Sequence, residues 1–96
     1  MRVKIVIADD QHVNRKAAVH FLESRNDYEI CAQAANGTEA LQAIKHYNPD
    51  ILLLDLNMPV MDGFEVLEIL QKENFPVKTI VVSQNDHPKQ IARCWE

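Results

Sequence analysis

Two short apolar runs, each ending in carboxylates, constrain this chain more than any other feature. Val3-Lys4-Ile5-Val6-Ile7-Ala8 runs into Asp9-Asp10, and Ile51-Leu52-Leu53-Leu54 runs into Asp55-Leu56-Asn57-Met58-Pro59 and on to Met61-Asp62-Gly63. Consecutive large aliphatic residues bounded by polar ones read as strands buried on both faces, as in a parallel sheet covered by helices. Such strands belong in the middle of the sheet, where their carboxyl ends lie side by side. In an open α/β sheet ligands bind at that edge, where strand order reverses, so Asp9, Asp10 and Asp55 are expected to converge on one small pocket.

Converging carboxylates need compensation. Two unit charges about 4 Å apart near a protein surface repel by about 4 kcal/mol, so three of them either take up protons or recruit a cation. The motif offers hard oxygen donors without His or Cys among them, which favours a magnesium-like ion that keeps several waters and often accompanies phosphate. A carboxylate in that setting can attack phosphorus, which makes Asp55 a candidate for an aspartyl phosphate.

Strand and helix patterns alternate along the whole chain, with no repeat, linker or low-complexity tract. Strands are expected at Val3–Ala8, Glu29–Ala34, Ile51–Leu54 and Thr79–Ser83, and helices at Asn14–Ser24, Thr38–Tyr47, Phe64–Lys72 and Pro88–Trp95. Glu29, Cys31 and Gln33 alternate with Ile30, Ala32 and Ala34, so the second strand has a partly wet face and belongs at the sheet edge. Right-handed crossovers then give the order 2-1-3-4 in a doubly wound α/β fold. Asp62-Gly63-Phe64-Glu65 fits a capping box, and Pro88 suits a first helical position. Ala17, Phe21 and Leu22, then Leu41 and Ile44, then Leu67 and Leu70, are expected to supply the apolar stripes that cover the sheet.

Ninety-six residues, 47% of them hydrophobic, suffice for one small domain, here residues 1–96, with no room for a second. A net charge of −4 offers no basic patch, so nucleic-acid binding is not expected of this segment. No stretch has the length and apolarity of a membrane span, and the N-terminus lacks a signal-peptide layout, so a cytoplasmic location is expected. Cys31 and Cys94 are read as reduced and unpaired, Cys31 as buried filler. Asp62 is read as a helix cap and not as a ligand. Pro59 and Gly63 are expected to shape the loop after the third strand, Pro59 by fixing one φ and Gly63 by freeing another. His12 follows the acidic pair closely, but magnesium rarely takes imidazole, so helix-start packing is the expected role.

The paired Asp9 and Asp10, the run Asp55-Leu56-Asn57-Met58-Pro59 with Met61-Asp62-Gly63, and Ser83 at the end of the fourth strand resemble the receiver domain of bacterial two-component response regulators. The resemblance covers the whole chain. Ala34-Ala35-Asn36-Gly37-Thr38-Glu39-Ala40-Leu41 is most similar to receivers of LuxR/NarL-type regulators. It implies a flavodoxin-like (CheY-like) fold in which Asp55 accepts a phosphoryl group from a sensor histidine kinase. It further implies that Asp10, Asp55 and the backbone carbonyl of Asn57 hold Mg2+, that Asp9 reaches the ion through water, and that Ser83 contacts the phosphoryl group and shifts with it. DNA would be contacted only through an output domain outside this chain.

Two departures from the family pattern matter. The lysine and the aromatic switch residue that receivers carry on a fifth strand would lie beyond Glu96, and Lys89 is read as a solvated surface residue. Gln84 stands where receivers usually carry a small residue, and its bulk would narrow access to the phosphoryl group or slow its hydrolysis. The fourth strand is apolar enough for neighbours on both sides, so a fifth βα unit is expected to be missing from this chain, or the sheet to be completed by dimerisation or strand exchange. Two other functions compete. A receiver-like interaction module would not be phosphorylated at all. An aspartate-nucleophile phosphatase needs a general acid two residues after its nucleophile, where this chain has Asn57, which cannot donate a proton in that way.

Overall fold

In the computed structural model, residues 2–56, 58 and 61–81 are described. The elements run β1 (Val3–Ala8), α1 (His12–Glu23), β2 (Tyr28–Ala34), α2 (Gly37–Tyr47), β3 (Ile51–Leu54), α3 (Gly63–Lys72) and β4 (Lys78–Val81). All strand pairs are parallel, and the sheet order is β2-β1-β3-β4, with β2 at the edge as its alternating sequence required. The expected helix over Pro88–Trp95, the end of the fourth strand at Ser83, Lys89, Gln84 and Cys94 lie outside the described residues.

The two aliphatic runs occupy the centre of the sheet as β1 and β3. Val6, Leu52 and Leu54 are fully buried, and together with Ala8 and Ala34 they meet Ala40, Leu41, Ala43 and Ile44 of α2 and Val66 and Leu70 of α3. Burial of each such aliphatic side chain stabilises by about 1.5–3 kcal/mol, so this layer is the main source of stability. Helix starts follow local chemistry. The Asn36 side chain accepts from Glu39 N, and the Asp62 side chain accepts from Glu65 N, each at 2.9 Å. Asp62 is therefore the cap that its spacing to Glu65 implied.

Two expectations need correction. The stripe of Ala17, Phe21 and Leu22 does not bury: no residue of α1 is buried, and Phe21 is 58% exposed, with the Arg25 guanidinium 4.9 Å from its ring centroid. Among the described residues the helix meets mainly the edge pair β1 and β2, so an apolar stripe wider than that support stays at its flank. The second correction concerns Gly63. No glycine among the described residues has a positive φ, so Gly63 is there for lack of a side chain and not for conformational freedom. The sheet also carries an irregularity that alternation alone did not reveal. Ile5 pairs with Ile30 but Val6 with Ala32, which leaves Cys31 as an extra residue in β2. Cys31 is half-buried against the core and not disulfide-bonded.

Candidate functional site

Register alone brings the carboxylates together. β1 and β3 pair from Ile5 with Ile51 to Ala8 with Leu54, so the next residues, Asp9 and Asp55, leave the sheet side by side. Backbone bonds continue one step past the strands: Asp55 N donates to Ala8 O and Asp9 N donates to Ala34 O, both at 2.9 Å. Asp9, Asp10 and Asp55 each offer a carboxylate oxygen within 4.8 Å of the others. Asp55 is the deepest, with 9% of its surface exposed. Asp10 is exposed and Asp9 is half-buried.

Two charges at the outer limit of that range repel by about 3.5 kcal/mol for an effective dielectric constant of about 20, and closer pairs by more, with solvent screening reducing the share of exposed Asp10. Nothing but oxygen is offered, so the donor set fits a small hard divalent cation and does not fit a soft metal.

The loops that carry these residues are tightly tied. Asp9 Oδ1 accepts from Gln11 N at 2.9 Å, which turns the chain into α1. The Arg15 guanidinium donates through Nη1 to the Asp9 carbonyl at 2.7 Å. After β3 the chain returns on itself, and Gly63 N donates to Leu56 O at 3.1 Å. A Cβ on Gly63 would lie 2.6 Å from Asp55 O and 2.7 Å from Leu56 Cα, so the start of α3 presses directly on the backbone beneath Asp55. The same loop is fixed from the other side, where Gly37 N donates to Met61 O at 3.0 Å. A Cβ on Gly37 would collide with that same oxygen.

Of the residues singled out in the sequence, Asp9, Asp10 and Asp55 are brought together, while Asn57 and Ser83 lie outside the described residues. His12 opens α1 and is exposed, with Nδ1 3.3 Å from Arg15 Nη2, in keeping with a helix-start role. Sequence reasoning missed Arg15, Gly37 and Asp50. Asp50 accepts from Lys4 N at 2.9 Å through Oδ2 and takes Lys78 N on its carbonyl, so it ties the entry of three strands together. For Arg15 a signal existed. A cation near the start of a helix opposes the helix dipole, which points to a local acceptor holding it there.

The description "response regulator receiver domain" matches residues 5–96. Among curated proteins, the chain is 44% identical over 80 residues to the uncharacterized transcriptional regulatory protein YhcZ of Bacillus subtilis, covering 83% of this chain and 37% of that protein. Less than half the length of the curated relatives is spanned in this way. A LuxR-family DNA-binding response regulator from Staphylococcus aureus superposes with a TM-score of 0.91 at 34% identity, over 97% of this chain and 78% of that one. The CheX-CheY-BeF3-Mg complex from Borrelia burgdorferi superposes with a TM-score of 0.89 at 27% identity, over 97% of this chain and 70% of that one. The four-stranded order, the carboxylates at the ends of β1 and β3 and these similarities agree, and the chain belongs to the response regulator receiver domain family, with LuxR-type regulators among its structural neighbours.

Proposed function

We propose that this domain is a phosphorylation switch in which Asp55 takes a phosphoryl group from a histidine of a sensor kinase. The observation that carries the reading is the meeting of Asp9, Asp10 and Asp55 at the carboxyl edge, with Asp55 nine-tenths buried on a backbone fixed from two sides. An Asp55 carboxylate oxygen attacks phosphorus as the bond from phosphorus to the donor imidazole nitrogen breaks, and the imidazole leaves as a neutral ring after taking up a proton. Mg2+, held by Asp10, Asp55 and the Asn57 carbonyl with Asp9 reaching it through water, would neutralise charge on the attacking and transferred oxygens. Ser83 is assigned to a phosphoryl oxygen, to which its hydroxyl can donate. The magnesium named with the Borrelia CheY complex supports the choice of ion for this oxygen-only cluster.

The new group carries about −1.5 to −2 charge and three acceptor oxygens at one spot, enough to bias nearby loops between two arrangements. The LuxR-family neighbour supports an output in transcription, made through DNA contacts by a separate domain. On this reading the domain, residues 1–96, has no turnover on an outside substrate and works in the cytoplasm. No helix among the described residues is long and apolar enough to cross a membrane. Association through the outer edge of the sheet belongs to the same proposal.

The test is magnesium-dependent labelling with acetyl phosphate or phosphoramidate, read by intact mass. One base-labile phosphoryl adduct is expected on the parent chain and none on Asp55→Asn. A folded parent chain that takes no label in either reagent, or a variant that labels equally, refutes the assignment and favours an interaction module.

A further inference from the structure

Arg15 stands apart from the other cations of the described chain. Its Nη1 donates to the Asp9 carbonyl at 2.7 Å, its Nη2 lies 3.3 Å from His12 Nδ1, and its Nε is buried without a hydrogen-bond partner. A surface arginine serving solubility keeps its head in water; this one is drawn inward at the expense of a buried donor, a cost in stability that its bond to the Asp9 carbonyl must offset. The contact lies on the turn between the strand end and the helix. Asp9 already has its amide on Ala34 O and its Oδ1 on Gln11 N, so the Arg15 bond fixes the remaining backbone group of that residue. The peptide whose carbonyl Arg15 holds is the one that joins Asp9 to Asp10.

We propose that Arg15 is a positioning residue for the carboxylate cluster: by holding the Asp9–Asp10 peptide it presets both side chains for the strict geometry of a small divalent cation and links that site to α1. This rests on the metal-assisted reading given above. Two opposite effects of the side chain can be told apart. As a mere positive charge beside the cluster, Arg15 would repel the cation, so its removal would tighten binding. As a clamp it favours binding, and a lysine, which keeps the charge but not the planar fork, cannot replace it.

The experiment titrates the parent chain, Arg15→Lys and Arg15→Met with MgCl2 and separately with CaCl2, following the backbone amide shifts of Asp9, Asp10 and Asp55. Melting in EDTA is recorded for each to verify folding. Loss of an outer-shell partner typically weakens metal affinity by about 10- to 100-fold, and a drop near the lower end is expected for Mg2+ in both variants. Ca2+ accepts flexible geometry, so its affinity should change little, a selectivity that general loosening of the fold does not produce. Arg15→Lys with parental Mg2+ affinity, tighter Mg2+ binding by Arg15→Met, or parallel loss of both metals overturns the clamp while leaving the metal reading intact. A folded parent chain whose amides ignore Mg2+ overturns the metal reading, and the clamp falls with it.

Discussion

Replacing Gly63 by alanine tests the link between the start of α3 and the backbone under Asp55. Intrinsic propensity points one way: alanine in a helix is favoured over glycine by up to about 1 kcal/mol. Geometry points the other way. The added Cβ would sit 2.6 Å from Asp55 O and 2.7 Å from Leu56 Cα, whereas ordinary contact begins at 3.4 Å. Both obstacles are backbone atoms, so no rotamer change relieves them, and a shift of about 0.8 Å must be shared between the helix and the Asp55 loop in a close-packed interior. Overpacking of this kind costs about 1–3 kcal/mol, which exceeds the propensity gain. The net destabilisation expected is about 1–2 kcal/mol, or a fall in melting temperature of about 4–8 °C for each kcal/mol in a domain of this size. The chemistry should suffer more than the fold, because a misplacement near 1 Å at a reacting group can cost on the order of 100-fold in rate. Urea melts and acetyl phosphate labelling rates on the same samples separate the two effects. A Gly63→Ala chain as stable as its parent and labelled at the parental rate would show that the close approach does not constrain Asp55.

Asp50→Ala should destabilise by about 1 kcal/mol through loss of the acceptor for Lys4 N, with labelling unchanged, since Asp50 lies at the opposite end of the strands from Asp55; a stability equal to the parent in urea refutes the tie. Asn36→Ala should cost about 1 kcal/mol by leaving Glu39 N uncapped, whereas Asn36→Asp should retain stability, and equal melts for all three chains refute the cap. Asn48 ends α2 with φ 47°, so Asn48→Val should cost about 1–2 kcal/mol while Asn48→Gly is tolerated, as thermal melts will show. Burial first, then the Glu29 carboxylate, raises the Cys31 thiol above its usual range near pH 9. The folded chain then keeps the thiol proton more tightly than the unfolded one, so its stability relative to Cys31→Ala should fall as pH rises through the ordinary thiol value towards the raised one. A difference that stays constant in urea melts from pH 8 to 10 refutes the shift.

What the sequence made legible, and what it did not, has a common physical cause. Leu52, Leu54 and Val6 announced themselves because burial on both faces of a sheet demands an unbroken apolar run, and Asp9, Asp10 and Asp55 because charge at the end of such a run needs a reason. Both signals are local in the chain. The Phe21 expectation failed because helical periodicity tells which side chains share a face, whereas the width of the supporting surface depends on which strands the helix meets. Gly63 was noticed for the wrong property, since its place in a turn-like motif suggested φ freedom while the requirement is room for the Asp55 backbone eight residues earlier. Asp50 and Gly37 meet backbone groups of partners distant in sequence, and Arg15 grips a backbone carbonyl six residues away; a backbone carbonyl or amide is present at every position, so no residue type on the partner marks these contacts. The clustered carboxylates are thus readable because charge at the end of a buried strand is rare, while the groups that hold the surrounding backbone are hidden because they grip what every residue has. It follows that the supporting contacts of Asp9 and Asp55 are the places where substitutions remote from the carboxylates themselves should alter metal selectivity and phosphoryl uptake while leaving the fold intact.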